Sequence, residues 1–267
     1  MPTTVQAALL GILQGLTEFL PVSSTAHLIL GARLLGYQDP GGIFIVMIQL
    51  GSVLAVMWLY RARILEILAG LPSRPEARHF AVMLVLATIP GVVAGAVFAD
   101  YVKRVLYYSP LVIGVSFILG GLVMIAVERM AHGASIRSVD GVPMGTAVGV
   151  GLFQALAIVP GVSRSGATIV GGMILGLDRP TAAEFSFFLA MPLMFGAFTH
   201  DLFEARSFLS GARVLEIAVG FVMAFLAALV VVKPFVSIVR RSGFAMFAWY
   251  RVALGAVLLG AVAAGWR

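Results

Sequence analysis

Residues 14–27, QGLTEFLPVSSTAH, and residues 154–168, QALAIVPGVSRSGAT, decide how this chain folds. Each stretch interrupts an apolar run with a proline and small polar residues, a pattern that ends helices. The apolar segments on either side are too short to cross a hydrocarbon core of about 30 Å, because each is at most about 24 Å long at 1.5 Å per residue. We therefore predict two helical hairpins that enter a membrane and return to the same side, built from residues 5–20, 24–36, 144–159 and 165–177.

The composition is that of a protein whose main solvent is lipid. Hydrophobic residues make up 61% of the 267 positions, charged residues 11%, and the mean hydropathy is +1.05, whereas a soluble domain is roughly one quarter charged. The net charge of +6 comes from basic residues scattered between apolar runs, so we predict membrane lipids and no nucleic acid as partners. The absence of cysteine excludes disulfides, thiol nucleophiles and thiolate metal sites. Because no Lys or Arg precedes Arg33, we expect no signal peptide and Met1 in the mature protein.

Six longer apolar runs can each cross the membrane as a helix, because each has about 18 residues or more. They lie near residues 43–60, 79–99, 109–127, 183–200, 214–233 and 245–265. The sequence therefore predicts an all-α integral membrane protein in which residues 1–267 form a single membrane domain.

The second half of the chain repeats the first. A shift of 140 residues, which places Gln14 on Gln154, also aligns identical residues around both breaks. Residues 1–130 and 141–267 each form one re-entrant hairpin followed by three transmembrane helices, and this odd number of crossings turns the second half upside down. We predict an inverted repeat whose two breaks meet near the midplane. The other aligned pairs are Gly11 and Gly151, Leu16 and Leu156, Val22 and Val162, Ser23 and Ser163, Ile29 and Ile169, Gly31 and Gly171, Leu35 and Leu175, Gly36 and Gly176, and Pro40 and Pro180.

The basic residues indicate the orientation in the membrane. Loops rich in Lys and Arg favour the cytoplasm, and the larger of two opposed sets then places both termini outside. We expect the first hairpin to open outward. The larger set is Arg61, Arg63, Arg74, Arg78, Arg129, Arg137, Arg179, Lys233, Arg240 and Arg241, and the smaller set is Lys103, Arg104, Arg206, Arg213 and Arg267.

Three ionisable residues fall inside the apolar body, namely Glu18, His27 and Arg164. Each costs about 2.5 to 3.5 kcal/mol at a helix centre, so each should pair or face water. Gln14 and Glu18 are four residues apart on one helix face, a spacing that suits joint coordination of a hard cation or of water. The alternative is that Glu18 pairs with Arg164 and only joins the two halves.

A second group of polar residues follows Pro21. Ser23 and Ser24 can cap the second half-helix, and His27 lies one turn further on. A hydroxyl beside an imidazole is typical of a nucleophile with its base, or of a nucleophilic imidazole with a hydroxyl donor. The alternative is a helix cap together with a buried histidine that bonds to a backbone carbonyl.

Residues 160–168, PGVSRSGAT, favour phosphate binding. Their small side chains let a ligand approach the backbone, and the N–H groups that open the helix near Ser165 point into the cavity. Arg164 offers a planar fork for two phosphate oxygens, and Ser163, Ser165 and Thr168 add hydroxyl groups. The stretch lacks a Walker lysine, which argues against a nucleotide triphosphatase.

Together, the stretch from Gln14 to His27 and the stretch from Pro160 to Thr168 closely resemble the two motifs of the undecaprenyl-diphosphate phosphatase family, also called bacitracin resistance protein BacA. The likeness covers essentially the whole chain in length and segment order. The family's first motif has Glu or Gln, then three residues, then Glu, and this chain carries the Gln form at Gln14.

This resemblance implies hydrolysis of a polyprenyl diphosphate lipid, undecaprenyl diphosphate, to undecaprenyl phosphate and inorganic phosphate, which recycles the carrier lipid of cell-wall synthesis. It also implies a divalent cation, Mg²⁺ or Ca²⁺, held by Glu18 and Gln14, and an active site that faces the periplasm from a bacterial cytoplasmic (inner) membrane. The implied catalytic residues are Ser24, His27 and Glu18. The implied substrate-binding residues are Ser23, Ser163, Arg164, Ser165 and Thr168.

Alternatives stay open for both mechanism and function. Spacing does not distinguish attack by Ser24 with His27 as base, attack by His27 to give a phosphohistidine, and attack by metal-bound water; we favour Ser24. The alternative function is a flippase or transporter for a polyprenyl phosphate, because inverted repeats with broken helices are typical of transporters. A carrier does not need the Ser24 and His27 pair beside Glu18. The sequence also leaves a homodimer open.

Overall fold

The computed structural model describes residues 1–39, 42–107, 109–130, 133–205 and 211–266, and these residues form an all-helical protein. Within these ranges the β pairing is one isolated bridge between Ile136 and Leu177. Pro40, Arg206 and Arg267, which the repeat and orientation predictions used, lie outside the described residues. The helices are α1 (Thr3–Thr17), α2 (Ser24–Leu35), α3 (Ile43–Leu59), α4 (Arg61–Gly70), α5 (Pro75–Tyr101), α6 (Pro110–Met130), α7 (Met144–Ala155), α8 (Arg164–Ile174), α9 (Arg179–Ala205), α10 (Gly211–Ser242) and α11 (Ala245–Ala263).

Five of the six predicted spans are confirmed as helices long and apolar enough to cross a membrane, and they lie in α5, α6, α9, α10 and α11. The sixth differs from the prediction. Helix α3 has 17 residues and reaches the length of a span only together with α4, from which it is bent by 75° at Tyr60. Several apolar helices in one chain make this a multi-pass membrane protein.

Both predicted breaks are confirmed, with a short helix on each side. Helices α1 and α2 pack against each other across residues 18–23, and α7 and α8 do so across residues 156–163. Their lengths of 15, 12, 12 and 11 residues fall short of a span. Each pair therefore brings irregular backbone into an apolar protein, where it must be buried or line a polar cavity.

Each second half-helix starts after a serine in the left-handed region. Ser23 has a φ of 68° and Ser163 a φ of 73°, and within the described residues no other non-glycine residue has a positive φ. Such a conformation costs of order 1–3 kcal/mol. Ser163 offsets part of this cost by accepting a hydrogen bond from the Gly166 N–H at 3.1 Å, whereas Ser23 makes no side-chain capping bond. The predicted capping by a serine hydroxyl is therefore wrong for Ser23.

The first half-helix of each hairpin is held against a long helix from the other half of the chain. Helix α1 packs on α10, and α7 packs on α5. The backbones touch at glycines, because a Cβ at Gly11 would lie 2.2 Å from the Gly220 carbonyl oxygen and a Cβ at Gly151 would lie 2.2 Å from that of Ala87. These contacts fix where the two breaks lie.

Candidate active site

The two breaks line one cavity of about 350 Å³. Glu18, Ser23 and Ser24 come from the first break, and Ser163 and Arg164 from the second. The sequence thus correctly predicted that the polar residues of the two hairpins come together. Further lining residues that sequence reasoning did not single out include Gln49, Tyr107 and Met194.

Glu18 is the centre of the hydrogen-bond network in this cavity. Its Oε2 accepts from Gln14 Nε2 at 2.8 Å and from Ser24 Oγ at 2.5 Å. Its Oε1 lies 3.4 Å from Arg164 Nη2, in an ion pair whose side chains are only 5% and 12% exposed. Glu18 therefore pairs with Arg164 across the two halves and also contacts Gln14 and the Ser24 hydroxyl, so the interpretation that it only joins the halves leaves two of its contacts unexplained.

His27 is directed away from the Ser24 hydroxyl. Its Nδ1 lies 2.8 Å from the Ser23 carbonyl oxygen, which can only accept, so the hydrogen bond assigns the ring proton to Nδ1. Its Nε2 lies 2.7 Å from the hydroxyl of Tyr250, which then donates, and the two rings stack with 5.7 Å between centroids. The structure thus places Ser24 with Glu18, and it gives His27 the backbone contact that was the alternative interpretation.

Arg164 extends from the second break towards Glu18, and only some of its N–H groups have hydrogen-bond partners among the described residues. Nη1 donates to the Ser186 carbonyl at 3.1 Å, and Nη2 faces the carboxylate. Nε has no hydrogen-bond partner among the described residues. Since a guanidinium carries five N–H donors, Arg164 keeps donors for an anionic ligand in the cavity.

The other hydroxyls of the second break divide into two groups. Ser163 lines the cavity. Ser165 Oγ instead donates to the Leu20 carbonyl at 2.7 Å, which ties the second hairpin to the first. Thr168 Oγ1 lies 2.7 Å from Ser186 Oγ, and both Ser165 and Thr168 are buried. All three hydroxyls have protein partners, since Ser163 Oγ accepts from the Gly166 N–H and lies 3.1 Å from Ser165 Oγ, but of the three Ser163 is the one that lines the cavity.

Arg251 is the buried ionisable residue that sequence reasoning missed. It lies within α11, is 1% exposed, and donates to carbonyl oxygens of both breaks. The prediction that Glu18, His27 and Arg164 are the ionisable groups inside the body is therefore incomplete. A signal was present, because an arginine within the predicted span 245–265 needs a partner.

The side-chain oxygens of Gln14 and Glu18 could supply part of the ligand shell of a hard cation. Gln14 Oε1 is buried and has no hydrogen-bond partner within the described residues, and the same amide contacts Glu18. Amide and carboxylate oxygens are ligands of both Mg²⁺ and Ca²⁺. Because the part of the chain that is described contains no cluster of three or more His, Asp or Glu that could hold a metal, water and ligand oxygens would complete the shell.

Comparison with known proteins agrees with the motifs. The family model described as bacitracin resistance protein BacA matches residues 7–257. The chain is 47% identical over 263 residues to a protein named undecaprenyl-diphosphatase from Cereibacter sphaeroides (strain ATCC 17025 / ATH 2.4.3), and equally to one from Paracoccus denitrificans (strain Pd 1222), with 98% of each chain covered. It is also 47% identical over 253 residues to undecaprenyl-diphosphatase 1 of Agrobacterium fabrum (strain C58 / ATCC 33970), covering 95% of this chain and 94% of that protein.

Proposed function

This chain belongs to the bacitracin resistance protein BacA family, and on that premise we propose that it hydrolyses undecaprenyl diphosphate to undecaprenyl phosphate and inorganic phosphate. The observation that carries the proposal is the hydrogen bond of 2.5 Å from Ser24 Oγ to Glu18 Oε2, in a cavity that also contains Arg164. A hydroxyl, a buried carboxylate and a guanidinium can serve as the nucleophile, the base and the charge-stabilising group of phosphoryl transfer.

Ser24 is the nucleophile in this proposal, and Glu18 is its base. Glu18 takes the hydroxyl proton as Oγ attacks the terminal phosphorus in line with the bridging oxygen. The bond to the bridging oxygen breaks, undecaprenyl phosphate leaves, and the proton passes to it from Glu18. Glu18 then deprotonates a water that attacks the phosphoserine, inorganic phosphate is released, and the proton returns to Ser24 Oγ.

Arg164 stabilises the negative charge on the transferring oxygens. Its guanidinium lies beside the reactive pair, and its Nε has no partner among the residues that the structure describes. Such donors are worth more in a site that excludes water. Ser163 and Ser23 line the same cavity and are proposed to bind the diphosphate with it. Ser165 and Thr168 support this binding indirectly, by holding the backbone of the second break.

His27 is proposed to act through the backbone. Its Nδ1 proton is donated to the carbonyl of Ser23, the strained residue that directly precedes Ser24. The bond therefore helps to hold the turn in which Ser24 Oγ reaches Glu18. Neither ring nitrogen is needed for proton transfer in this mechanism.

Gln14 and Glu18 are proposed to hold a divalent cation, Mg²⁺ or Ca²⁺, when substrate is present. Gln14 Oε1, which has no hydrogen-bond partner in the described part of the chain, and the adjacent carboxylate support this assignment. A bound cation would supply further neutralisation of charge on the phosphate oxygens.

We also propose that residues 1–130 and 141–267 form an inverted repeat. The aligned Ser23 and Ser163 share a positive φ. Helix α1 of the first half packs on α10 of the second, and the corresponding helix α7 of the second half packs on α5 of the first, as two related halves should. In a bacterial inner membrane with the larger basic set in the cytoplasm, the active site faces the periplasm and both termini lie outside.

The experiment that tests the function measures two quantities in the same vesicles. Purified protein is reconstituted with undecaprenyl diphosphate, and inorganic phosphate release and lipid movement between leaflets are followed together. We expect phosphate release by the wild type and its loss in Ser24→Ala. Lipid movement without phosphate release would contradict the proposal and favour the flippase.

A further inference from the structure

Arg251 is the largest of the fully buried side chains in the described part of the chain, and it lies two turns into α11. A guanidinium in apolar surroundings is costly unless its donors are satisfied. The structure gives the two terminal nitrogens of Arg251 four hydrogen bonds, every acceptor of which is a backbone carbonyl oxygen, and its buried Nε has no partner among the described residues. Arg251 therefore hydrogen-bonds to backbone rather than to side chains.

The four carbonyls join both breaks to a third element. Nη1 donates to Pro21 at 3.1 Å and to Val162 at 2.9 Å. Nη2 donates to Gly161 at 2.9 Å and to Ser116 at 3.0 Å. One planar group thus binds the first break, the second break and helix α6 at once.

The three carbonyls in the breaks, those of Pro21, Gly161 and Val162, need donors because the breaks interrupt the helical hydrogen bonds inside an apolar body. They also lie close to the reactive groups in sequence. Pro21 is three residues before Ser24, and Val162 is two residues before Arg164. Any displacement of the guanidinium therefore moves both sides of the cavity relative to each other.

The surroundings of Arg251 leave room for this side chain and little else. A Cβ at Gly120 would lie 2.0 Å from Nη2, and one at Gly166 would lie 3.1 Å from Nη1. The ring of Phe117 lies 5.8 Å from the guanidinium carbon. A lysine ammonium has three donors around a single nitrogen and cannot reach four carbonyls in one plane.

We propose that Arg251 is a positioning residue for phosphoryl transfer, because it holds both breaks with one planar group and so sets the separation between Ser24 and Arg164. The inference rests on the proposed function. Arg251 takes no part in the chemistry itself, and its effect reaches the substrate only through the backbone of the two turns.

The test compares Arg251→Met and Arg251→Lys with the same substitutions at Arg213, a partly buried arginine whose side chain is 13% exposed and which is bound to Asp39 and Glu216. The kcat and KM of phosphate release from undecaprenyl diphosphate are measured on monodisperse protein, together with the thermal unfolding midpoint. We expect kcat to fall about 100-fold in Arg251→Met, since a displacement of about 1 Å costs that much, and less in Arg251→Lys. We expect KM to change less than about threefold, because ground-state binding is retained. The Arg213 variants should lower the midpoint and keep kcat.

An unchanged kcat in folded Arg251→Met overturns the inference. An equal fall of kcat in Arg213→Met also overturns it, because the loss would then follow stability. If Arg251→Met does not fold, kcat of Arg251→Lys decides by the same criterion. A wild type that releases no phosphate removes the proposed function and this inference together, whereas an active wild type with unaffected Arg251 variants removes the inference alone.

Discussion

Glu18 accepts hydrogen bonds from Gln14 and Ser24 and also pairs with Arg164. The last contact is a buried ion pair between the two hairpins. Removing one partner of such a pair leaves an uncompensated buried charge, whereas removing both is often tolerated. Single and double substitutions of the pair should therefore affect the free energy of unfolding differently from the rate of phosphate release.

For Glu18→Gln we expect the free energy of unfolding to fall by about 3 kcal/mol, because Arg164 is left unpaired. Adding Arg164→Met should recover most of that loss. The double variant should still release phosphate at least about 100-fold more slowly than the wild type, since it lacks the base. Thermal unfolding in detergent and phosphate release are measured on the same samples. Recovery of activity along with stability would mean that the pair only joins the halves.

The sequence correctly indicated which polar residues lie near Glu18, but it did not predict which of them form hydrogen bonds with each other. Spacing alone put Ser24 beside His27, because the two residues are one helical turn apart. The positive φ of Ser23 turns the chain so that the Ser24 hydroxyl meets Glu18, while His27 meets Tyr250. Tyr250 is 223 positions away from His27 in the chain, and no local pattern predicts such a contact.

At the scale of elements, α1 and α7 are held by direct contact between helix backbones. Gly11 and Gly151 occupy aligned positions, and each faces a backbone carbonyl at a distance that no side chain can occupy. These two helices carry the first half of each hairpin, so their separation from α10 and α5 determines the depth of the breaks.

Gly151→Ala should lower the unfolding free energy by about 1–3 kcal/mol, because a methyl group there overpacks the contact with Ala87. Gly145→Ala is the matched control in the same helix, since nothing lies within 4 Å of its Cβ. There we expect a gain of up to about 1 kcal/mol from helix propensity. Thermal midpoints of the two variants are compared. Equal midpoints would contradict the close packing of α7 on α5.

Hydropathy predicted the existence of the spanning helices better than their ends. Helix α10 was predicted over 214–233 and extends from Gly211 to Ser242, and α9 was predicted over 183–200 and extends from Arg179 to Ala205. The difference arises because hydropathy reports only the turns that lie in hydrocarbon, while helical hydrogen bonding continues into polar ends. Helix α4 was missed for the same reason, since its first turn contains two arginines, Arg61 and Arg63.

For the whole molecule, the proposed inverted repeat and the distribution of basic residues predict which face is exposed to the periplasm. Because the chain contains no cysteine, single cysteines report this directly. We expect an impermeant maleimide to label Pro2→Cys in intact cells and Ser73→Cys only after permeabilisation, since the larger basic set belongs in the cytoplasm. Both positions are exposed. The reverse pattern of labelling would contradict the proposed orientation.

The central claim is that Ser24 and Glu18 act as one unit in the release of phosphate from undecaprenyl diphosphate. The most direct test is a double-mutant cycle on kcat with Ser24→Ala, Glu18→Gln and the combined variant, all checked for folding. We predict that each single change lowers kcat by about 10²- to 10⁴-fold and that the combined change lowers it no further, because groups that act as a unit are not additive. Independent effects that multiply in the combined variant would contradict the account.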